Sequence, residues 1–157
     1  MTKYTEQEAF IDACEVGARS PCVKSKRGVV IFDRHLGLLV TGFNQPPPPF
    51  TCDGSDACKE ACGQLCIHAE MDALMQLGRP HYHAVTTHGE GLELLHVKVG
   101  PLGSMPSGPP SCWQCSRQIV YAGIKYVWLY HEDGLRRYDG LEFHELTLQH
   151  HSLPVIR

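Results

Sequence analysis

The chain has 157 residues, 43% of them hydrophobic, which is enough for one domain over residues 1–157 with a buried core. Its 14 basic residues are outnumbered by 17 acidic ones, for a formal charge of −3, whereas proteins that grip a long phosphate backbone usually carry the opposite balance. No run approaches a membrane span and MTKYTEQEAF lacks a basic-then-apolar export layout, so the chain is expected to be cytoplasmic, complete and without membrane contact.

In chain order, Thr5 with Glu8 reads as a capping box, and Phe10, Ile11, Cys14 and Ala18 recur at helical spacing, predicting a helix from about Thr5 to Arg19. GVVIFD and LGLLVTGF flank DRHLG as a hairpin. NQPPPPFTCDGSDACKEACGQ is rich in Pro, Gly and Cys and reads as a loop with no regular element. A helix over Ile67 to Leu77 follows, ended by Gly78 and Pro80. LELLHVKV is a third strand and GPLGSMPSGPP a second irregular stretch. CWQCSRQIVYAG makes a helix stopped by Gly123, and IKYVWLY is a strand of strong β preference. LEFHELTLQHH then suggests a last helix and LPVI a short last strand. This order of elements gives an α/β layered sandwich.

Eight cysteines without an export signal point to metal rather than to a disulfide framework. Cys112 and Cys115 stand three apart at a helix start, so both thiols can meet one ion, although a redox dithiol needs the same spacing. His68 and Glu70 stand two apart, which on a helix flank would turn them to opposite sides by ~200°. At a helix tip both can project forward instead, one as a ligand and the other reaching the ion's water. One histidine and two cysteines leave a fourth position open, the catalytic layout for zinc; a structural zinc with Glu70 merely nearby is the plainer alternative. Thiolates make the ion a weaker acid for its water, so Glu70 is read as the base that takes a proton and later returns it. Ala69 between them is small, and its first-turn N–H is a free donor for a carbonyl oxygen.

CIHAEMDALMQLG and SCWQCSRQIVYAGIKYVWLY resemble the two zinc motifs of the cytidine and deoxycytidylate deaminase family, and SPCVKSKRGVVIFD and VTGFNQPPP resemble the amino-terminal strands of its deoxycytidylate branch. The resemblance covers most of residues 10 to 130. It implies a three-layer α/β/α sandwich around a mixed five-stranded sheet, and a zinc-dependent hydrolase that releases ammonia from a free cytosine nucleotide or nucleoside, dCMP to dUMP being the first candidate. It implies that His68, Cys112 and Cys115 hold a catalytic zinc and that Glu70 shuttles protons. Ala69 N–H would hold the base carbonyl and Asn44 would contact base or sugar, with a turn role competing for Asn44. It implies a second, structural zinc on Cys22, Cys52, Cys58 and Cys66, with spacing leaving the choice among Cys58, Cys62 and Cys66 open. Relatives self-associate, so a homo-oligomer is expected.

Family members usually carry proline directly before the first cysteine of the second motif, where this chain has Pro110, Ser111 and Cys112. Lys24, Lys26 and Arg27 form the basic cluster nearest the site, either to hold a phosphate or, slightly favoured, as a solvated strand end. Phe43 and Trp113 are candidates to stack on a base or to pack in the core. Two other readings compete: deamination of another amino-heterocycle or of a base within RNA or DNA, which the acidic balance disfavours, and a non-catalytic zinc-stabilised binding protein.

Overall fold

The structure, a computed structural model, describes residues 3–85 and 91–156, with the side chains of residues 79–85 outside the description. Helix α1 (Glu6–Ala18) starts at the expected capping box: Thr5 Oγ1 accepts from the Glu8 N–H at 3.2 Å and Glu8 Oε2 from the Thr5 N–H at 2.8 Å. Strands β1 (Lys26–Asp33) and β2 (Gly37–Phe43) pair antiparallel as the predicted hairpin.

Residues 56–64, expected to be loop, fall within helix α2 (Asp56–Leu65), with the Ser55 side chain accepting from the Cys58 N–H at 3.1 Å. Helix α3 (Ala69–Val85) loses helical geometry at Gly78, which takes φ +62°, at the expected stop; helical turns resume beyond it. The side chain of Pro80, the other expected stop, lies outside the described residues. Strand β3 (Glu93–Gly100) matches its predicted place, and the supposedly irregular stretch after it contains a short strand, β4 (Gly103–Met105), folded back onto β3.

Helix α4 (Trp113–Tyr121) ends before Gly123 at φ +73°, and β5 (Tyr126–His131) follows. Strand β6 (Gly134–Asp139) was not anticipated, whereas LPVI, expected as the last strand, has no regular structure. A two-residue turn at Glu132 and Asp133 sends the chain straight back along β5, so β6 occupies the sheet edge. Asp139 and Glu142 then form the capping box that opens α5 (Gly140–His150).

The sheet order is β2-β1-β3-β5-β6, with β4 paired to β3 off this path. β3 and β5 are parallel, joined through α4, and the other neighbours are antiparallel, so the sheet is mixed with six strands rather than five. β1 is covered on both faces. Val30 and Phe32 pack with Leu95, Val97 and the Ala9 and Ala13 face of α1; Val29 and Ile31 pack with Ala69, Ala73 and Leu77 of α3, Ile119 of α4 and Phe143 of α5. Those are the three layers of the expected sandwich. No described helix is long and apolar enough to cross a membrane.

Contact between α3 and the sheet depends on Gly42. A Cβ there would lie 2.4 Å from the Ala69 carbonyl oxygen and 2.5 Å from the Ala73 nitrogen, both backbone atoms in the first turns of α3. Gly42→Ala should therefore lower stability by roughly 1–3 kcal/mol and lift the α3 tip from β2. Thermal denaturation reads this directly; an unchanged melting temperature contradicts the packing described.

Candidate metal centre and active site

Two helix tips build the site. His68 stands just ahead of α3, and its carbonyl accepts the Asp72 N–H at 3.0 Å, so the imidazole leaves from the tip and not from the helix flank. An isolated bridge fixes this entry: Gln45 and Ile67 exchange backbone hydrogen bonds of 3.1 and 2.8 Å, aligning the chain before His68 with the exit of β2. The Asp72 carboxylate adds a bond from the Phe43 N–H at 3.0 Å. Opposite, Cys112 is the N-cap of α4, its thiol accepting the Cys115 N–H at 3.3 Å.

These tips bring His68 Nδ1 to 3.3 Å from Cys112 Sγ and 3.2 Å from Cys115 Sγ, with the two sulfurs 2.9 Å apart. Among the described residues this is the one group in which three ligand atoms lie within 4.8 Å of one another. The sulfurs are too far apart for a disulfide bond of ~2.05 Å. Zinc held at ~2.3 Å from sulfur and ~2.0 Å from nitrogen would need them spread by less than an ångström, so the donor set fits that ion.

Glu70 lies one residue into α3. Its Oε2 is 3.9 Å from Cys115 Sγ and its Oε1 3.8 Å from His96 Nε2. Cys112 is drawn down to about 5 by its bonds to Cys115 and His68, against burial, so it is the ready thiolate of the pair. The same contact, with burial, pushes Cys115 well up, and the Cys112 bond raises His68 to about 9. Burial opposes the charged form of Glu70, yet His96, its own backbone, His68 and Arg27 outweigh it and hold the carboxyl below the usual glutamate range.

A cavity of about 250 Å³ opens over this group. Its walls include Ala69 at the α3 tip, Asn44 at the β2 exit, Arg27 of β1, His96 of β3 and Phe143 of α5. The 106–111 segment forms another wall and is anchored rather than loose. The Ser107 N–H donates to the Tyr130 carbonyl at 2.7 Å, and the Ser107 carbonyl accepts from Arg27 Nη1 at 3.3 Å. His151, just past α5, holds the Ser111 carbonyl at 2.5 Å, so the displaced proline motif is braced from the end of the chain.

No family model matches the chain. It is 29% identical over 133 residues to the deoxycytidylate deaminase of Schizosaccharomyces pombe and 30% identical over 120 residues to that of Saccharomyces cerevisiae, with 78% and 70% of this chain covered. The chain spans about a third of the length of these curated relatives, 35% and 32%. The cytidine deaminase of Burkholderia pseudomallei shares the fold with a TM-score of 0.58 at 15% identity, over 88% of this chain and 95% of that one. The dCMP deaminase of cyanophage S-TIM5, in complex with dCMP and dUMP, gives 0.51 at 24% identity over 78% of each chain. The chain belongs to the cytidine and deoxycytidylate deaminase family.

Within this deaminase-family chain the other expected residues fall unevenly. Asn44 is 7% exposed, and its side chain is largely committed: Oδ1 accepts from the Ser20 hydroxyl at 2.8 Å and the Arg27 N–H at 2.7 Å, and Nδ2 donates to the Ser25 carbonyl at 2.7 Å. One amide hydrogen remains for a ligand. The set Cys22, Cys52, Cys58 and Cys66 is not drawn into one group of mutually close ligand atoms among the described residues. Cys62, left outside that set, sits between Cys22 at 3.6 Å and Cys66 at 3.7 Å, while Cys52 and Cys58 form a separate pair at 3.7 Å. Cys62 lies four residues after Cys58 and four before Cys66, which caps α2 with its N–H on the Cys62 carbonyl at 3.1 Å.

The basic cluster also divides. Lys26 ties back to the Ala18 carbonyl at 3.1 Å and Lys24 Nζ donates to the Lys59 carbonyl at 2.8 Å; of the three, Lys24 and Arg27 line the cavity. Phe43 and Trp113 are absent from its lining, and Phe143 supplies the aromatic wall. His96 and Phe143 escaped the sequence reading. A histidine two residues after Leu94, on the same side of an apolar strand, was the available signal for the first.

Proposed function

We propose that this chain is a zinc-dependent hydrolytic deaminase that converts a free cytosine nucleotide or nucleoside to the uracil form, with dCMP the first candidate. The observation that carries the reading is the meeting of His68, Cys112 and Cys115 beside Glu70 on the floor of one cavity. The names and sequence likeness of the yeast relatives support the cytosine nucleotide.

His68 through Nδ1 and both thiolates would hold the ion, leaving one coordination position free. Zinc in such a site supplies Lewis acidity and lowers the pKa of the water it binds. Glu70 would carry the two protons of the attacking water in turn, one to N3 of the ring and one to the C4 amino group, so that the amine leaves as ammonia and the ring keeps the oxygen. Ala69 directs its N–H at the carbonyl of the base, with the helix tip favouring developing negative charge there. Phe143 and the 106–111 wall exclude bulk water and give the ring an apolar face.

Arg27 suits a phosphate. Its Nε and Nη1 are bound to Ser25 Oγ at 3.0 Å and the Ser107 carbonyl at 3.3 Å, which aims the guanidinium and leaves further N–H donors for an anion. Arg27→Gln should raise KM for dCMP by about 10- to 100-fold and leave KM for deoxycytidine within about 2-fold. Steady-state kinetics on both substrates checks this; equal losses would move Arg27 out of phosphate recognition.

A structural ion on the thiols of the α2 region is a separate proposal, resting on five cysteines around a stretch in which α2 buries no residue. Metal analysis near two ions per chain supports it, and a value near one removes it without touching the catalytic reading. Self-association is expected by family likeness and is read by sedimentation.

Incubating metal-loaded protein with cytidine, deoxycytidine, their monophosphates, free purines and an oligonucleotide, and following ammonia, tests the function. Turnover confined to a pyrimidine monomer supports it. Turnover of purine or oligonucleotide alone, or none with metal bound, overturns it.

A further inference from the structure

His96 is a buried group with no part in the chemistry above. It lies on β3, two residues from Leu94 and on the same sheet face, 7% exposed at the cavity floor. Its Nδ1 is buried with no hydrogen-bond partner. Orphaning a buried polar atom costs stability, and an aliphatic side chain at this strand position would avoid that cost. A feature that costs stability and faces a functional cavity calls for a compensating role.

The geometry supplies one. The two Glu70 oxygens look in different directions, Oε2 toward Cys115 Sγ at 3.9 Å and Oε1 toward His96 Nε2 at 3.8 Å. We propose that His96 is a positioning residue for Glu70, presenting an Nε2–H to Oε1 and so selecting the rotamer that aims Oε2 at the metal-binding cluster.

This role rests on the reading of Glu70 as the proton carrier. It also specifies a tautomer. With hydrogen on Nε2 the imidazole attracts the carboxylate and leaves a bare lone pair on the orphaned Nδ1. With hydrogen on Nδ1, two lone pairs would oppose each other across the gap and an N–H would be stranded in the core, the rarer kind of unpaired group. Burial favours the uncharged ring, with Glu70 opposing and Arg27 and His68 reinforcing it. The His96 carbonyl accepts from Ser107 Oγ at 3.3 Å, tying β3 at this point to the 106–111 wall.

The test has a spectroscopic arm and a kinetic arm. Long-range proton–nitrogen spectra of histidine-labelled, metal-loaded protein, assigned with His96→Leu, should show His96 in the Nε2–H form. Glu70→Gln should displace the His96 Nε2 resonance. An Nδ1–H pattern, or no response to Glu70→Gln, overturns the proposal whether or not the protein deaminates anything.

In the kinetic arm, His96→Leu should lower kcat by on the order of 10- to 100-fold with KM within about 2-fold and metal content unchanged. His96→Gln, whose amide N–H reaches the place of Nε2, should recover most of that loss. Equal losses in both variants, or full activity in His96→Leu, overturn it. An inactive wild type would instead overturn the function, and the spectra would still decide the placement of Glu70.

Discussion

Glu70→Gln should reduce turnover on the order of 10³-fold or more while the metal stays bound. The substitution keeps the size and hydrogen-bonding reach of the side chain and removes only its ability to accept and return a proton. Glu70 is no ligand in this arrangement: its nearer oxygen stands 3.9 Å from Cys115 Sγ, beside the cluster rather than within it. Metal content and kcat must therefore separate. Retained turnover with retained metal takes Glu70 out of the chemistry. Metal lost together with turnover makes it a ligand and closes the position reserved for water.

Cys115→Ser should lower metal affinity by about 100-fold or more and abolish activity with it. Cys115 is 1% exposed and lies against both His68 and Cys112, so no other described thiol stands ready to replace it. The protonation states sharpen the expectation. At neutral pH the metal-free cluster holds a thiolate at Cys112, a thiol at Cys115 and a protonated His68. Binding must then expel about two protons, from Cys115 and His68, so apparent affinity should climb steeply as pH rises toward 9. Below about 5 the protonation of Cys112 adds a third. Competition titrations against a chelator at several pH values measure this, and a flat dependence contradicts the assigned states.

Much of this was legible in residue order, for reasons that differ by element. Thr5 and Glu8 announced α1 because a capping box is local chemistry. Strands β1 and β3 declared themselves as apolar β-rich runs because they are buried on both faces, and β5 through its aromatic residues around buried Val127 and Leu129. Helix α2 stayed hidden because it buries none of its residues and so writes no apolar stripe; Ser55 was its one readable signal. Strand β6 is an edge strand carrying Arg136 and Arg137, with Tyr138 buried, and the Asp133–Gly134 pair was its turn signal.

The site shows the same division. His68, Glu70, Cys112 and Cys115 stand out because metal and acid chemistry restrict residue type and spacing. His96, Arg27 and Phe143 come from three separate elements, and only the folded sheet and α5 reveal that they share one cavity. Which thiols lie close is not written in spacing, because Cys58, Cys62 and Cys66 are equally spaced and only the folded chain sets Cys62 beside both Cys22 and Cys66.

A zinc-edge anomalous difference map of crystals grown with the metal tests the catalytic arrangement most directly. The expected result is a peak bonded to His68 Nδ1, Cys112 Sγ and Cys115 Sγ, with solvent alone in the fourth position beside Glu70. An absent peak at these three atoms, or a fourth protein ligand completing the shell, contradicts it.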